Sequence, residues 1–296
     1  MLKTCKTVIL LIIKNIFIFA FVISGFSAVA YGDVLKDRVY ASLGDRQLKL
    51  DIYTPENNKN PFLVVWIHGG AWHSGSKEDP PLQLLEKGYA LASVEYRLSP
   101  EEKFPAPIHD IKAAIRFLRA NAETYHYRAD KIAIWGSSAG GHLAALVGVT
   151  NGHTKLEGNM GRYLDYDSSV QATVDYFGPT NFLSILAQST PHGINVRAPA
   201  LALLLGRPVD QVKELAELAS PVAHVDKNDP PMLIMHGDQD YQVPINQSHE
   251  LEGQFIKHGA SARLVVVHGA GHSTPEFFTP EYIEIVDDFL KKSLGD

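Results

Sequence analysis

The sequence predicts an α/β fold, with a mostly parallel central sheet of about eight strands flanked by helices and one lid insertion. Three observations carry this. From Asp45 onward short apolar runs alternate with helical patterns, the mark of βα repeats. One run, Phe62-Leu63-Val64-Val65-Trp66-Ile67, is apolar at every position, as a strand buried on both faces must be. The residues best suited to chemistry follow directly on the ends of such runs, where open α/β sheets gather their sites.

Residues 39–43 and 48–53 alternate apolar with polar side chains and meet near Gly44-Asp45, which predicts an antiparallel edge pair. Next come the buried strand 62–67, a strand at 89–95, and a helix over 107–121 with Pro107 in its first turn, where the missing N–H is harmless. The spacing then predicts a strand at 131–135 and a small-residue helix at about 138–147. Strands follow at 170–177, 232–235 and 263–267, and a helix over 280–292 closes the chain. Residues 178–219 are rich in Pro and Leu and carry no strand pattern. A long segment of this kind inside a compact domain is usually functional, and a lid over a pocket is the expectation.

Composition is that of a globular protein: 296 residues, 45% hydrophobic and 20% charged. That suits one catalytic domain over 31–296. Residues 1–30 differ, with Lys3 and Lys6 ahead of an apolar run and then Ser27-Ala28-Val29-Ala30. This is the layout of a signal peptide cleaved after Ala30, so an exported protein, periplasmic or secreted, is expected. The apolar piece 16–23 is far short of the roughly 20 residues of a membrane span, and no stable span is expected after cleavage. The single cysteine, Cys5, lies in that segment, so the mature chain offers no thiol nucleophile or disulfide. Cleavage removes three lysines and no acids, taking the formal charge from −6 to −9. An acidic chain without a basic block argues against nucleic acid as a partner.

Gly136-Ser137-Ser138-Ala139-Gly140 follows a predicted strand and opens a predicted helix. This G-x-S-x-G spacing makes Ser138, not Ser137, the nucleophile candidate on a strained strand-to-helix turn. A serine hydroxyl needs a base, and the base needs a group to orient it. After the strand at 232–235 comes His236-Gly237-Asp238-Gln239-Asp240, and after the strand at 263–267 comes His268-Gly269-Ala270-Gly271-His272. His268 lies too near its strand end to reach across, which leaves His272 as base. Asp238 and Asp240 both remain as acids, with Asp238, next to Gly237, suited to tying the turn. The turn His68-Gly69-Gly70-Ala71-Trp72 follows the strand at 62–67. The backbone N–H groups of Gly70 and Ala71, with that of Ala139 after the serine, are the expected oxyanion-hole donors. No metal or cofactor is required.

These motifs are joined by Glu95-Tyr96-Arg97-Leu98-Ser99-Pro100 with Phe104-Pro105-Ala106, by Phe177-Gly178-Pro179-Thr180, and by Ala219-Ser220-Pro221. Together they resemble the esterase/lipase branch of the α/β-hydrolases, close to the bacterial feruloyl and acetyl-xylan esterases and related to the hormone-sensitive-lipase-like enzymes. The resemblance runs from about Leu48 to the chain's end. It implies an α/β-hydrolase fold and a carboxylesterase acting on small-molecule or polysaccharide-linked esters. It also implies Asp240 as the acid, being the second aspartate of an H-G-x-x-D-x-x-V-P loop. Relatives carry a third glycine where this chain has Ala71, and H-G-G-x-W is also similar to the motif of kynurenine formamidases, so an arylformamidase is the alternative. A prolyl-oligopeptidase-like peptidase would need a propeller domain, for which too few residues precede Val39. A non-catalytic binding module would have lost a triad residue, and none is missing. Arg97 and Asp110 are expected to brace a loop, and His249 and His258 to be solvated on a helix.

Overall fold

The structure is a computed structural model and describes residues 31–295; the expected signal segment and its cleavage site lie outside that range. Strands β1 (Tyr31–Leu43) and β2 (Arg46–Pro55) pair antiparallel, with Leu43 opposite Arg46. β1 starts eight residues before the alternating pattern does. Register shifts between Tyr31 and Val34 and between Leu35 and Arg38 break the two-residue period there, which hides that part of the strand from a pattern search.

β3 (Phe62–Ile67) is followed by α1 (Gln83–Glu86), β4 (Ala90–Val94) and α2 (Ala106–Ala120). Then come β5 (Arg128–Ser137), α3 (Ala139–Gly148), α4 (Thr154–Glu157) and β6 (Ala172–Tyr176). After β6 the chain forms α5 (Ile185–Gln188), α6 (Pro191–Leu205) and α7 (Lys213–Leu218). It ends with β7 (Met232–Gly237), α8 (Asn246–His258), β8 (Ala262–Val267) and α9 (Pro280–Leu294). The sheet order is β1-β2-β4-β3-β5-β6-β7-β8, parallel from β4 to β8 and antiparallel only at β1–β2 and β2–β4. From β3 the chain steps outward to β4, then returns to the other side of β3 as β5. Strand order therefore reverses between β3 and β5, the place where such sheets open a crevice.

The unbroken apolar run of β3 now has its reason. Leu63, Val65 and Ile67 join the core beneath Ile108, Ile111 and Ile115 of α2, whereas Val64 and Trp66 face the opposite core with Ile283, Val286 and Leu290 of α9. The 178–219 segment has helices and no strand, as its sequence suggests. Its Leu201, Leu204 and Leu205 are buried in the same core as α2, so the apolar side of α6 is part of the main body.

Candidate active site

β5 turns into α3 at Ser138, whose φ of 54° and ψ of −117° lie outside the favoured regions for a residue with a side chain. The surroundings impose this conformation. The Ser138 N–H donates to the carbonyl of Tyr176 on neighbouring β6, at 2.8 Å, and a Cβ on Gly140 would sit 2.0 Å from the Ile67 carbonyl oxygen. Only glycine lets α3 begin this close to the end of β3.

His272 reaches the serine from the loop after β8. Its Nε2 lies 2.8 Å from Ser138 Oγ, and its Nδ1 lies 2.6 Å from Asp240 Oδ2. With a proton on Nδ1 given to the carboxylate, Nε2 is left to accept from the serine hydroxyl. Asp240 Oδ1 is held by the N–H groups of Gln242 and Val243 at 2.8 and 2.9 Å. His236, at the end of β7, adds a further contact: its Nε2 is 3.0 Å from the Val243 carbonyl and 3.4 Å from Asp240 Oδ2, while Ser248 Oγ lies 2.6 Å from its Nδ1. Burial works to raise the Asp240 carboxyl, but hydrogen bonds from His236 and His272 outweigh it and hold the group below the usual carboxylate range. For His272 the order is reversed: burial pushes the imidazole down, Asp240 opposes this, and the Arg197 charge lowers it further. Both shifts favour a neutral imidazole beside an ionised carboxylate, the state a general base requires.

Asp238 takes no part in this chain of bonds. Its Oδ1 accepts the Gly269 N–H at 2.8 Å and its Oδ2 lies 2.9 Å from His268 Nδ1, tying together the loops that carry Asp240 and His272.

The turn after β3 lies against the serine: a Cβ built on Gly69 would be 3.4 Å from Ser138 Cβ. Gly70 has φ 106°, and a Cβ there would lie 2.2 Å from the Ser74 carbonyl oxygen. The Gly70 carbonyl accepts from the N–H groups of His73 and Ser74. Among the described residues, the backbone N–H groups of Gly70, Ala71 and Ala139 have no acceptor. A cavity of about 300 Å³ is lined by Gly70, Ala71, Ser138 and His272 together with Val196 and Arg197 of α6.

Arg197 and His236 do not stand out in the sequence. Arg197 is 1% exposed and donates to the carbonyl and side-chain oxygen of Gln242 at 3.2 and 3.1 Å, which joins α6 to the acid's loop. Its only sequence signal is a lone arginine in a Leu-rich helix. His236 lies four residues before Asp240 on the strand end that carries the acid. Arg97 and Asp110 form a two-pronged ion pair with closest contact 2.8 Å, bracing the loop after β4, and His249 and His258 are exposed on α8.

An eight-stranded, mostly parallel sheet with this serine turn at its switch point defines an α/β-hydrolase fold. Residues 50–255 match the family described as BD-FAE, and the chain belongs to that family, among the α/β-hydrolase esterases. A truncated carbohydrate esterase from gut microbiota is 34% identical, with TM-score 0.83, over 90% of this chain and 98% of that one. Thermogutta terrifontis esterase 2, solved with propionate bound, is 26% identical with TM-score 0.68, over 88% and 94%. Esterase LipC of Mycobacterium tuberculosis is 30% identical over 71% of this chain and 52% of its own length. The chain spans about half the length of the curated relatives it matches.

Proposed function

We propose that the protein is a serine-dependent carboxylic ester hydrolase acting on short-chain acyl esters, including acetyl or feruloyl esters of plant polysaccharide. The observation that carries this is the continuous hydrogen-bonded chain from Ser138 Oγ through His272 to Asp240, beside three backbone N–H groups that have no acceptor among the described residues. Ser138 Oγ attacks the ester carbonyl carbon as His272 Nε2 takes its proton. The carbonyl oxygen becomes an oxyanion facing the N–H groups of Gly70, Ala71 and Ala139. The tetrahedral species collapses, the bond to the alcohol oxygen breaks, and His272 returns the proton to the departing alcohol. Water then attacks the acyl-enzyme in the same way, releasing the acid and restoring Ser138.

The cavity of about 300 Å³ supports a small acyl group. The carbohydrate esterase of the gut microbiota supports a sugar-linked alcohol, and the propionate-bound esterase supports a short acyl chain. The signal-like 1–30 segment supports export, and the α6 residues Val196 and Arg197, which line the cavity with Ser138, support a covering role for 178–219. Ser138→Ala tests the reading: turnover of p-nitrophenyl acetate should fall by several orders of magnitude with the fold retained. Wild-type-like hydrolysis by that variant would end it. The Ala71-Trp72 ending favours the formamidase as the second reading, and it would be preferred if N-formylkynurenine were cleaved much faster than acetylated xylan and methyl ferulate.

A further inference from the structure

We propose that Trp72 and His142 are positioning residues, clamping the His68–Trp72 turn to the nucleophile helix so that the Ala71 N–H stays aimed at the developing oxyanion. The functional part of this rests on the serine-hydrolase reading above. The clamp itself rests on geometry.

Ala71 and Trp72 have φ of 50° and 60°, two consecutive residues with side chains in left-handed conformation. Each costs about 1–2 kcal/mol relative to ordinary backbone, so such a turn persists only where its surroundings hold it. The Trp72 ring, 0% exposed, supplies one hold: its Nε1–H donates to His142 Nδ1 at 3.1 Å. His142 stands one turn after the nucleophile on α3, its backbone N–H donating to the Ser138 carbonyl at 2.9 Å. Because Nδ1 accepts, the ring proton sits on Nε2, which donates to the Ala219 carbonyl at 2.7 Å. Both ring nitrogens are thereby committed. The Trp72 carbonyl supplies a second hold, accepting from the N–H and hydroxyl of Ser99 at 2.8 and 3.0 Å.

Phe182 completes the arrangement, stacked on His142 at 4.7 Å and edge-on to Trp72 at 5.5 Å. Phe182 and Ala219 lie near the two ends of the 178–219 segment. The pair therefore links three parts: the turn, the helix that starts at Ser138, and residues near both ends of the 178–219 segment. It also accounts for a residue with a side chain at the left-handed position of Ala71, since an external hold substitutes for glycine's freedom.

Trp72→Phe keeps most of the ring and removes the N–H. His142→Leu removes both polar contacts, and His142→Gln retains an acceptor and a donor. With p-nitrophenyl acetate, Trp72→Phe and His142→Leu should lower kcat about 10- to 100-fold with KM within about 2-fold, and His142→Gln should recover most of the loss. Hydrogen exchange of peptide 68–74 should quicken in Trp72→Phe with little change in Tm. Wild-type kcat together with unchanged exchange in Trp72→Phe overturns the clamp. Equal hydrolysis by wild type and Ser138→Ala would instead overturn the hydrolase reading, and the exchange measurement would still decide the clamp.

Discussion

The carboxylate of Asp238 closes on His268, 2.9 Å away, and leaves His272 to Asp240 at 2.6 Å. Two aspartates two residues apart thus have different partners: one ties the exposed imidazole of His268, and the other is buried against His272.

The acid assignment is tested by comparing the two amides. Asp240→Asn should lower kcat/KM by about three to four orders of magnitude, because an amide no longer selects the tautomer that leaves Nε2 free to accept. Asp238→Asn keeps an acceptor for the Gly269 N–H and should stay within a few-fold of wild type. Steady-state assays of both decide it, and the assignment is lost if only Asp238→Asn is crippled.

On the proposed serine mechanism, the Arg197 charge contributes to the pH at which His272 becomes available as a base. If His272 is the general base, its neutral form is the active one, so kcat/KM is expected to rise as pH passes upward through the imidazole's pKa. Burial lowers that pKa first, Asp240 raises it, and the Arg197 charge lowers it again. Arg197→Met removes a cation, so the acid limb should move to higher pH. A limb that stays in place or moves to lower pH contradicts this.

His142 should leave a mark on stability. It is enclosed by Trp72, Phe182 and the Ala219 carbonyl, and burial pushes its imidazole from 6.5 down to about 4. An unfolded chain takes up this proton below about pH 6.5, whereas the folded one resists until about pH 4. Stability is therefore complete above 6.5 and is lost as pH falls through that window, by up to about 3 kcal/mol for this group. Urea unfolding at pH 7 and 4.5 should show a smaller loss in His142→Gln than in wild type. His68, His224 and His272, also lowered, remain in both proteins and cancel in the comparison.

Gly140→Ala should be among the most damaging single methyl additions. Its Cβ would press on the backbone carbonyl oxygen of Ile67 at 2.0 Å, where α3 begins against the end of β3. A loss of about 3 kcal/mol is expected, read as a lowered urea midpoint, together with loss of activity. Wild-type stability would show that α3 can move away from β3.

Most of the fold was legible in the sequence because its signals are local. The run at 62–67, the helix opening at Pro107 and the G-x-S-x-G turn each report their own backbone, and the observed elements fall within a few residues of those expectations. The first residues of β1 were not, since bulges erased the alternation. The chain order of Ser138, Asp240 and His272 was also legible, because each follows a strand end.

By itself the sequence determined which strands form, which serine occupies the strained turn, and which loops face the crevice. Local periodicity and backbone sterics suffice for these. Only the tertiary structure decided that Asp240 rather than Asp238 meets His272, that His236 stands beside Asp240, and that Arg197 is bonded to Gln242 in the Asp240 loop. It alone showed that Trp72 is held by His142. His236 lies only four residues from Asp240, but the other contacts of the site join groups 32, 45, 70 and 134 residues apart, and no pattern along the chain encodes the direction in which a side chain meets a distant partner.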